Sequence, residues 1–380
     1  MKLSRSSLFS TLLAAALGIA APSYAAQGYV QHNLVSDIAG LADRTDSHLV
    51  NAWGIVHSAT SPWWVNANGT GLSLVYDGSG VPFPTANPRI VTVPPPGATG
   101  TSAPTGIVFN GTTDFEVASG KPAAFIFATE DGTISGWNST VNPTLAILKF
   151  TSTNGAVYKG LAIGSMSGHN VLYAADFHNG TVDVFDAHFT PVALPAGSFT
   201  DPMVPAGFAP FNVQNVGTAL FVTFAKQDAA KHDDVAGPGL GYVDEFSADG
   251  TLLMRLKHGH WFNSPWAVAM APADFGRLSG HLLVGNFGSG QIASFDPANG
   301  NFKGMLRGRR GKPITIDGLW GLGFGNGGTA GPVNTLYFSA GIQDEAHGLF
   351  GTLLPVKGDL DLDGNDNDND NDEDGNGDAQ

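Results

Sequence analysis

The chain has 380 residues, 51 of them glycine, with 13% charged residues and no cysteine. That excludes every disulfide and any lipid-modified cysteine, while an apolar share of 42% suffices for a large core. A formal charge of −15, with no basic patch evident along the chain, argues against nucleic-acid binding.

Residues 1–25 read as a signal peptide. Lys2 and Arg5 form a basic end, and Leu8 to Ala21 is an apolar stretch short for a bilayer span. Ser23 and Ala25 place small residues where a signal peptidase reads, so cleavage is expected after Ala25. No later segment approaches about 20 continuous apolar residues, so the mature chain is expected to be soluble, secreted or periplasmic.

Six segments then repeat: NAWGIV (51–56), APTGIVF (103–109), YKGLAIG (158–164), APFNV (209–213), SPWAVAM (264–270) and GLWGLGF (318–324). Aligned on Gly54, Gly106, Gly160, Asn212, Ala267 and Gly321, they are spaced by 52, 54, 52, 55 and 54 residues. Each leads into an apolar run, a Gly-bearing turn and an alternating strand, such as FIFATE then GTISGWN. A variable strand often closes the unit, as in RIVTV (89–93) and TLLMRL (251–256). Four strands per unit at this period predict an all-β fold, a six-bladed β-propeller over residues 26–357. The last unit lacks its fourth strand, and YVQHNLV (29–35) is expected to supply it and close the ring. Trp53, Trp266 and Trp320 are expected to pack between blades.

A propeller gathers its polar groups at one mouth, where the turns between second and third strands meet the innermost lead-ins. Those turns carry Asn66 and Asn68, then Glu130 and Asp131, then Asp176, His178 and Asn179. The fourth is a long insertion with Lys226, Gln227, Asp228, His232, Asp233 and Asp234. The fifth holds Asn286, and the sixth Gln343, Asp344, Glu345 and His347. No turn needs Glu130, His178, Lys226 or His347, which makes these four the candidate catalytic residues. His178 and His347 occupy opposite blades and are expected to face each other, with Glu130 beside His178. Asp131, Asp176, Asn179, Gln227, Asp228, Asn286, Asp344 and Glu345 are candidate ligand contacts, although Asp131 and Asn179 also suit tight turns. The innermost lead-ins offer Asn51, Asn212, Asn263 and Asp317, oxygen ligands suited to an axial divalent ion such as Ca²⁺.

Residues 358–380 form an acidic tail expected to be disordered, with ten acids and no base between Asp359 and Asp378. Asp359, Asp361 and Asp363 with Gly364 open like a calcium loop, and Asp370 stands where that loop wants a Glu. Weak Ca²⁺ binding and a plain solubility tail are both open readings.

The segments ATEDGTISGW, YKGLAI, LYAADFHNGTVDVFD, GFAPFNV, FAKQD, DDVAG, LLVGNFG, IDGLWGL and HGLFG resemble a family of secreted propeller proteins with NHL-like repeats. That family is distantly related to gluconolactonase, regucalcin and strictosidine-synthase-like propellers, and the resemblance spans roughly 29–355. It implies an axial divalent ion held by a Glu, Asn residues and an Asp, for which Asn212 and Asp317 stand in matching places. The first-blade Glu is replaced, with Asn51 nearest. Two functions follow as expectations. One is a metal-assisted, lactone-type hydrolase with Asp317, Asn212 and Asn263 on the ion and Glu130 or His178 moving protons. The other is a non-enzymatic module for a small-molecule or carbohydrate ligand, or a protein partner. The expected state is monomeric.

Overall fold

The computed structural model describes residues 28–97 and 99–356. The expected signal segment and the acidic tail, with Asp359, Asp361, Asp363 and Asp370, lie outside the described residues.

Five four-stranded sheets and one five-stranded sheet form the blades of a propeller ring. The innermost strands are Ala52–Val56, Pro104–Phe109, Tyr158–Met166, Phe208–Val216, Pro265–Met270 and Leu319–Phe324. Each touches the next, and the sixth touches the first. Such close approach selects the small residue at the aligned position. A Cβ on Gly106 would strike the Leu161 backbone, and one on Gly160 would strike the Asn212 side chain. Apolar residues alternating out of the pleat fill the space between blades, as where Trp64 stacks on Phe125 at 4.2 Å.

Blade six closes the ring as its sequence requires. Its third strand, His347–Pro355, pairs antiparallel with Tyr29–Ser36, from Tyr29 opposite Pro355 to Ser36 opposite Leu349. A two-residue strand, Arg44–Thr45, extends the sheet. The Asp37 carboxylate locks this seam by accepting from the Gly348 N–H at 2.8 Å and from His347 Nδ1 at 2.6 Å.

On the outer edge of blade four, Arg255 grips Asp201 with two parallel hydrogen bonds of 2.6 and 2.7 Å. Asp244 lies buried beside them; burial, then the neighbouring Asp201 charge, pushes its carboxyl up to about 8. Among the described residues no helix is long and apolar enough to cross a membrane.

Candidate functional site

One hydrogen bond recurs in every blade and builds the mouth. An N–H at the end of the second strand or in the turn after it donates to a carbonyl in the lead-in of the innermost strand. The six pairs are Asn68 to Asn51, Glu130 to Ala103, Phe177 to Val157, Gln227 to Gly207, Phe287 to Ser264 and Gly341 to Gly318. Side chains of these turns and lead-ins therefore converge around the axis.

At the centre of that convergence stands Lys159, 2% exposed, on the innermost strand of blade three. Its ammonium donates to Glu130 Oε1 of blade two and, at 3.0 Å, to Asp233 Oδ1 of the blade-four insertion. Glu130 Oε2 accepts from Asn68 Nδ2 at 2.9 Å. Asn51 Nδ2 reaches Asn68 Oδ1 at 3.3 Å and Glu345 Oε1 at 2.9 Å. His232 Nδ1 donates to Asp233 at 3.0 Å. One network thus runs from blade six through blades one, two and three to blade four.

Aromatic rings close the axis at this level. Trp53 and Trp320 stack at 3.6 Å, Phe287 stacks on Trp320 at 3.9 Å, and Trp266 meets Trp53 edge-on. The Lys159 ammonium lies 5.3 Å from the centre of the Trp53 ring. Toward the other end of the innermost strands the axis opens as a cavity of about 290 Å³, lined by all six blades, including Gly54, Gly106, Asn212 and Leu322.

The network is electrically lopsided. Burial opposes the charge of Lys159, but the carboxylates of Glu130 and Asp233 hold its ammonium above the ordinary lysine range. Partial burial pushes Asp233 up, yet the Lys159 charge and its hydrogen bonds bring the carboxyl below the usual value. Burial, reinforced by the charges of Glu130 and Asp233, raises Glu345 despite the Asn51 hydrogen bond. Burial also raises Asp234. Unpartnered buried polar atoms of both kinds gather here: Asn51 Oδ1 and Asp234 Oδ2 can accept, Trp53 Nε1 and Trp320 Nε1 can donate, and Ser264 Oγ can do either.

Backbone strain gathers here too. Ten described non-glycine residues have left-handed φ, and Asn51, Lys231, Ser264, Gln343, Asp344 and Glu345 among them belong to this mouth. Three in a row, at 55°, 52° and 63°, turn the chain so that Glu345 meets Asn51.

The structure brings together Glu130, Asp233, Glu345, Asn51 and Asn68 and places the other candidates elsewhere. His347 does not face His178; it bonds Asp37 at the ring seam. Glu130 bonds Lys159 and Asn68 rather than His178, whose imidazole makes no hydrogen bond or ion pair among the described residues. Lys226 lies over Phe208, 5.4 Å from the ring centre, instead of in the network. Asp176 is fully buried and accepts from Val157 N–H and from Asn179 N–H and Nδ2, so Asp176 and Asn179 form a turn. Asp131 accepts from Ala103 N–H at 2.9 Å. Gln227 donates to Phe177 O at 2.5 Å, and Asp228 accepts from His232 N–H; both shape the insertion. Asn286 accepts from Asn263 N–H, and Asp344 is exposed in the blade-six turn.

Each of the four axial metal candidates makes hydrogen bonds within the protein. Asn212 donates to Trp266 O at 2.8 Å and accepts from Val213 N–H. Asn263 Oδ1 accepts from Gly237 N–H at 2.6 Å, and Asp317 Oδ2 from Gln343 N–H at 2.7 Å. Asn51 joins the carboxylate network instead. Glu130, His232 and Asp233 do bring one potential ligand atom each within 4.8 Å of one another, and Lys159 already bridges the two carboxylates.

Sequence reasoning missed Lys159. Its signal was present: it directly precedes Gly160, the position at which other blades carry Trp53, Thr105, Phe211, Trp266 and Trp320. A lysine at a position patterned for burial requires a paired charge.

No protein-family model matches the chain. Among solved structures it is similar to a streptogramin B lyase, with TM-score 0.52 and 12% identity over 87% of this chain and 99% of that one. It is also similar to a protein of unknown function from Bacteroides thetaiotaomicron, with TM-score 0.51 and 9% identity over 85% and 73%. At these identities the likeness shows the propeller fold alone. Among curated proteins, the uncharacterised protein R648 of Acanthamoeba polyphaga mimivirus is 32% identical over 84% of this chain and 78% of its own length. The uncharacterised protein L690 of the same virus is 33% identical over 84% of each. The chain therefore belongs to the propeller family that includes these two mimivirus proteins.

Proposed function

We propose that this chain is an exported propeller that binds a small polyhydroxylated, carbohydrate-like ligand at the mouth around Lys159. The observation that carries this reading is the set of buried, unpartnered polar atoms at the mouth, donors as well as acceptors: Trp53 Nε1, Trp320 Nε1 and Ser264 Oγ stand with two side-chain oxygens. Asn51 Oδ1 and Asp234 Oδ2 are buried and unpartnered, while Glu345 and Asp233 each have one oxygen engaged. A ligand rich in hydroxyl groups, each both donor and acceptor, would satisfy them, and the Lys159 ammonium would remain the counter-charge of Glu130 and Asp233. Calorimetric titration with neutral sugars, amino sugars and sugar lactones tests the idea. Binding weakened at least tenfold in both Glu345→Gln and Glu130→Gln is the expected result; equal affinity in wild type and both variants would sink it. Cell fractionation with N-terminal sequencing, giving a mature chain that begins at Ala26, tests export.

A second reading, hydrolysis of such a lactone, draws on the opposed proton affinities of Glu345 and Asp233. Glu345 would deliver or take the proton, and Asp233 would stay ionised beside Lys159. This reading is not routed through the axial divalent ion, since Asn212, Asn263 and Asp317 each already bond backbone groups. Turnover of a lactone panel that survives a chelator and is lost in Glu345→Gln would favour this reading over binding alone.

A further inference from the structure

The described chain ends beside a cavity lined with positive charge, and the sequence beyond that end is strongly acidic. Between residues 274 and 317 stand six bases, Arg277, Lys303, Arg307, Arg309, Arg310 and Lys312, against three acids, Asp274, Asp296 and Asp317, and Lys303 pairs with Asp296 at 3.1 Å. The rest of the propeller is net negative, so this face corrects the sequence-based expectation of no basic patch. Arg277, His281, Lys303 and Arg307 line a cavity of about 190 Å³ together with Gly28 and Tyr29. His281 Nδ1 is buried with no hydrogen-bond partner among the described residues. The cavity adjoins the ring seam: Tyr29 N–H donates to Arg307 O at 2.9 Å, and Val356 N–H donates to Gly28 O at 2.9 Å. Val356 is three residues from Asp359, which is the first of ten acids. Three residues span at most about 11 Å.

We propose that the acidic segment 359–374 docks in cis on this basic face, its first carboxylates entering the cavity lined by Arg277, His281, Lys303 and Arg307. The proximity makes the encounter intramolecular, which favours it over a free anion at ordinary concentration. Exposed charge pairs are individually weak and screened by salt, so the contact is expected to be reversible and salt-sensitive.

The test uses the full mature chain and a variant of it with Asp359, Asp361, Asp363, Asp366, Asp368 and Asp370 each replaced by Asn, which leaves the propeller untouched. A zero-length carbodiimide coupling should join tail carboxylates to Lys303 or Lys312 within one molecule, and 0.5 M salt should abolish the cross-link. Trypsin should cut after Arg307, Arg309 and Arg310 at least fivefold faster in the Asn variant than in the parent. Equal cutting rates, or cross-links found only between molecules, would overturn the proposal. Added tripolyphosphate should bind the Asn variant and be excluded from the parent; equal binding to both would count against tail occupancy of the cavity.

Discussion

The indole N–H of Trp266 donates to the backbone carbonyl of Lys159 at 2.9 Å, so blade five fixes the strand whose side chain neutralises carboxylates of blades two and four. Lys159 is therefore held at both ends, its backbone carbonyl by the Trp266 indole and its ammonium by Glu130 and Asp233. Removing the charge leaves Glu130, nearly buried, facing Asp233 with no cation between them. Lys159→Met is expected to destabilise the propeller by about 3 kcal/mol, read as a lower urea midpoint. The double variant with Glu130→Gln should recover part of that loss. A Lys159→Met midpoint equal to wild type would contradict a structural role for the pair.

Asp244 gives the fold a pH signature. Its carboxyl titrates near 3.8 when unfolded and near 8 when folded, so the native state binds the proton more tightly. The stability it contributes is complete below about 4 and is lost as pH rises toward 8, with a slope of up to about 1.4 kcal/mol per pH unit. Asp244→Asn should flatten the urea midpoint over that window and exceed wild type at the alkaline end. A wild-type midpoint independent of pH there would refute the assignment.

The seam supplies a third expectation. Without residues 28–36 blade six has an open edge, and Asp37 no longer has a paired strand to carry it to His347 and Gly348. The shortened chain should no longer show a single cooperative calorimetric transition, whereas an unaltered melting curve would show that the strand is dispensable.

Close packing at the axis makes Gly160 a sensitive position. A methyl group there meets Asn212, whereas one on Gly97 meets nothing within 4 Å. Gly160→Ala should cost about 1–3 kcal/mol in urea unfolding, and Gly97→Ala close to nothing.

The period of the aligned segments suffices to read the ring, because every blade repeats one pleat and one crowded inner position. The missing fourth strand of blade six points directly to Tyr29–Ser36. The mouth is legible only in part. Glu130 stands out because no turn needs it and Glu345 as a candidate ligand contact of the sixth turn, and both belong to the network. Asp176 and Asn286 look like free polar groups in sequence but are consumed by the folding of their own turns. His347 is placed by a partner 310 residues away, which no local pattern reveals. Lys159 is hidden for the opposite reason: it lies within a strand motif, where attention to small and apolar residues passes over a single charge.

Closure by Tyr29–Ser36 also orders events during synthesis. That strand is made among the first of the propeller and its partner, His347–Pro355, last. Until some three hundred further residues have emerged, the first strand has only an exposed edge to offer, and such distant pairing is slow to form. Folding is thus timed by the final blade, and a chain interrupted anywhere before His347 is left without a ring.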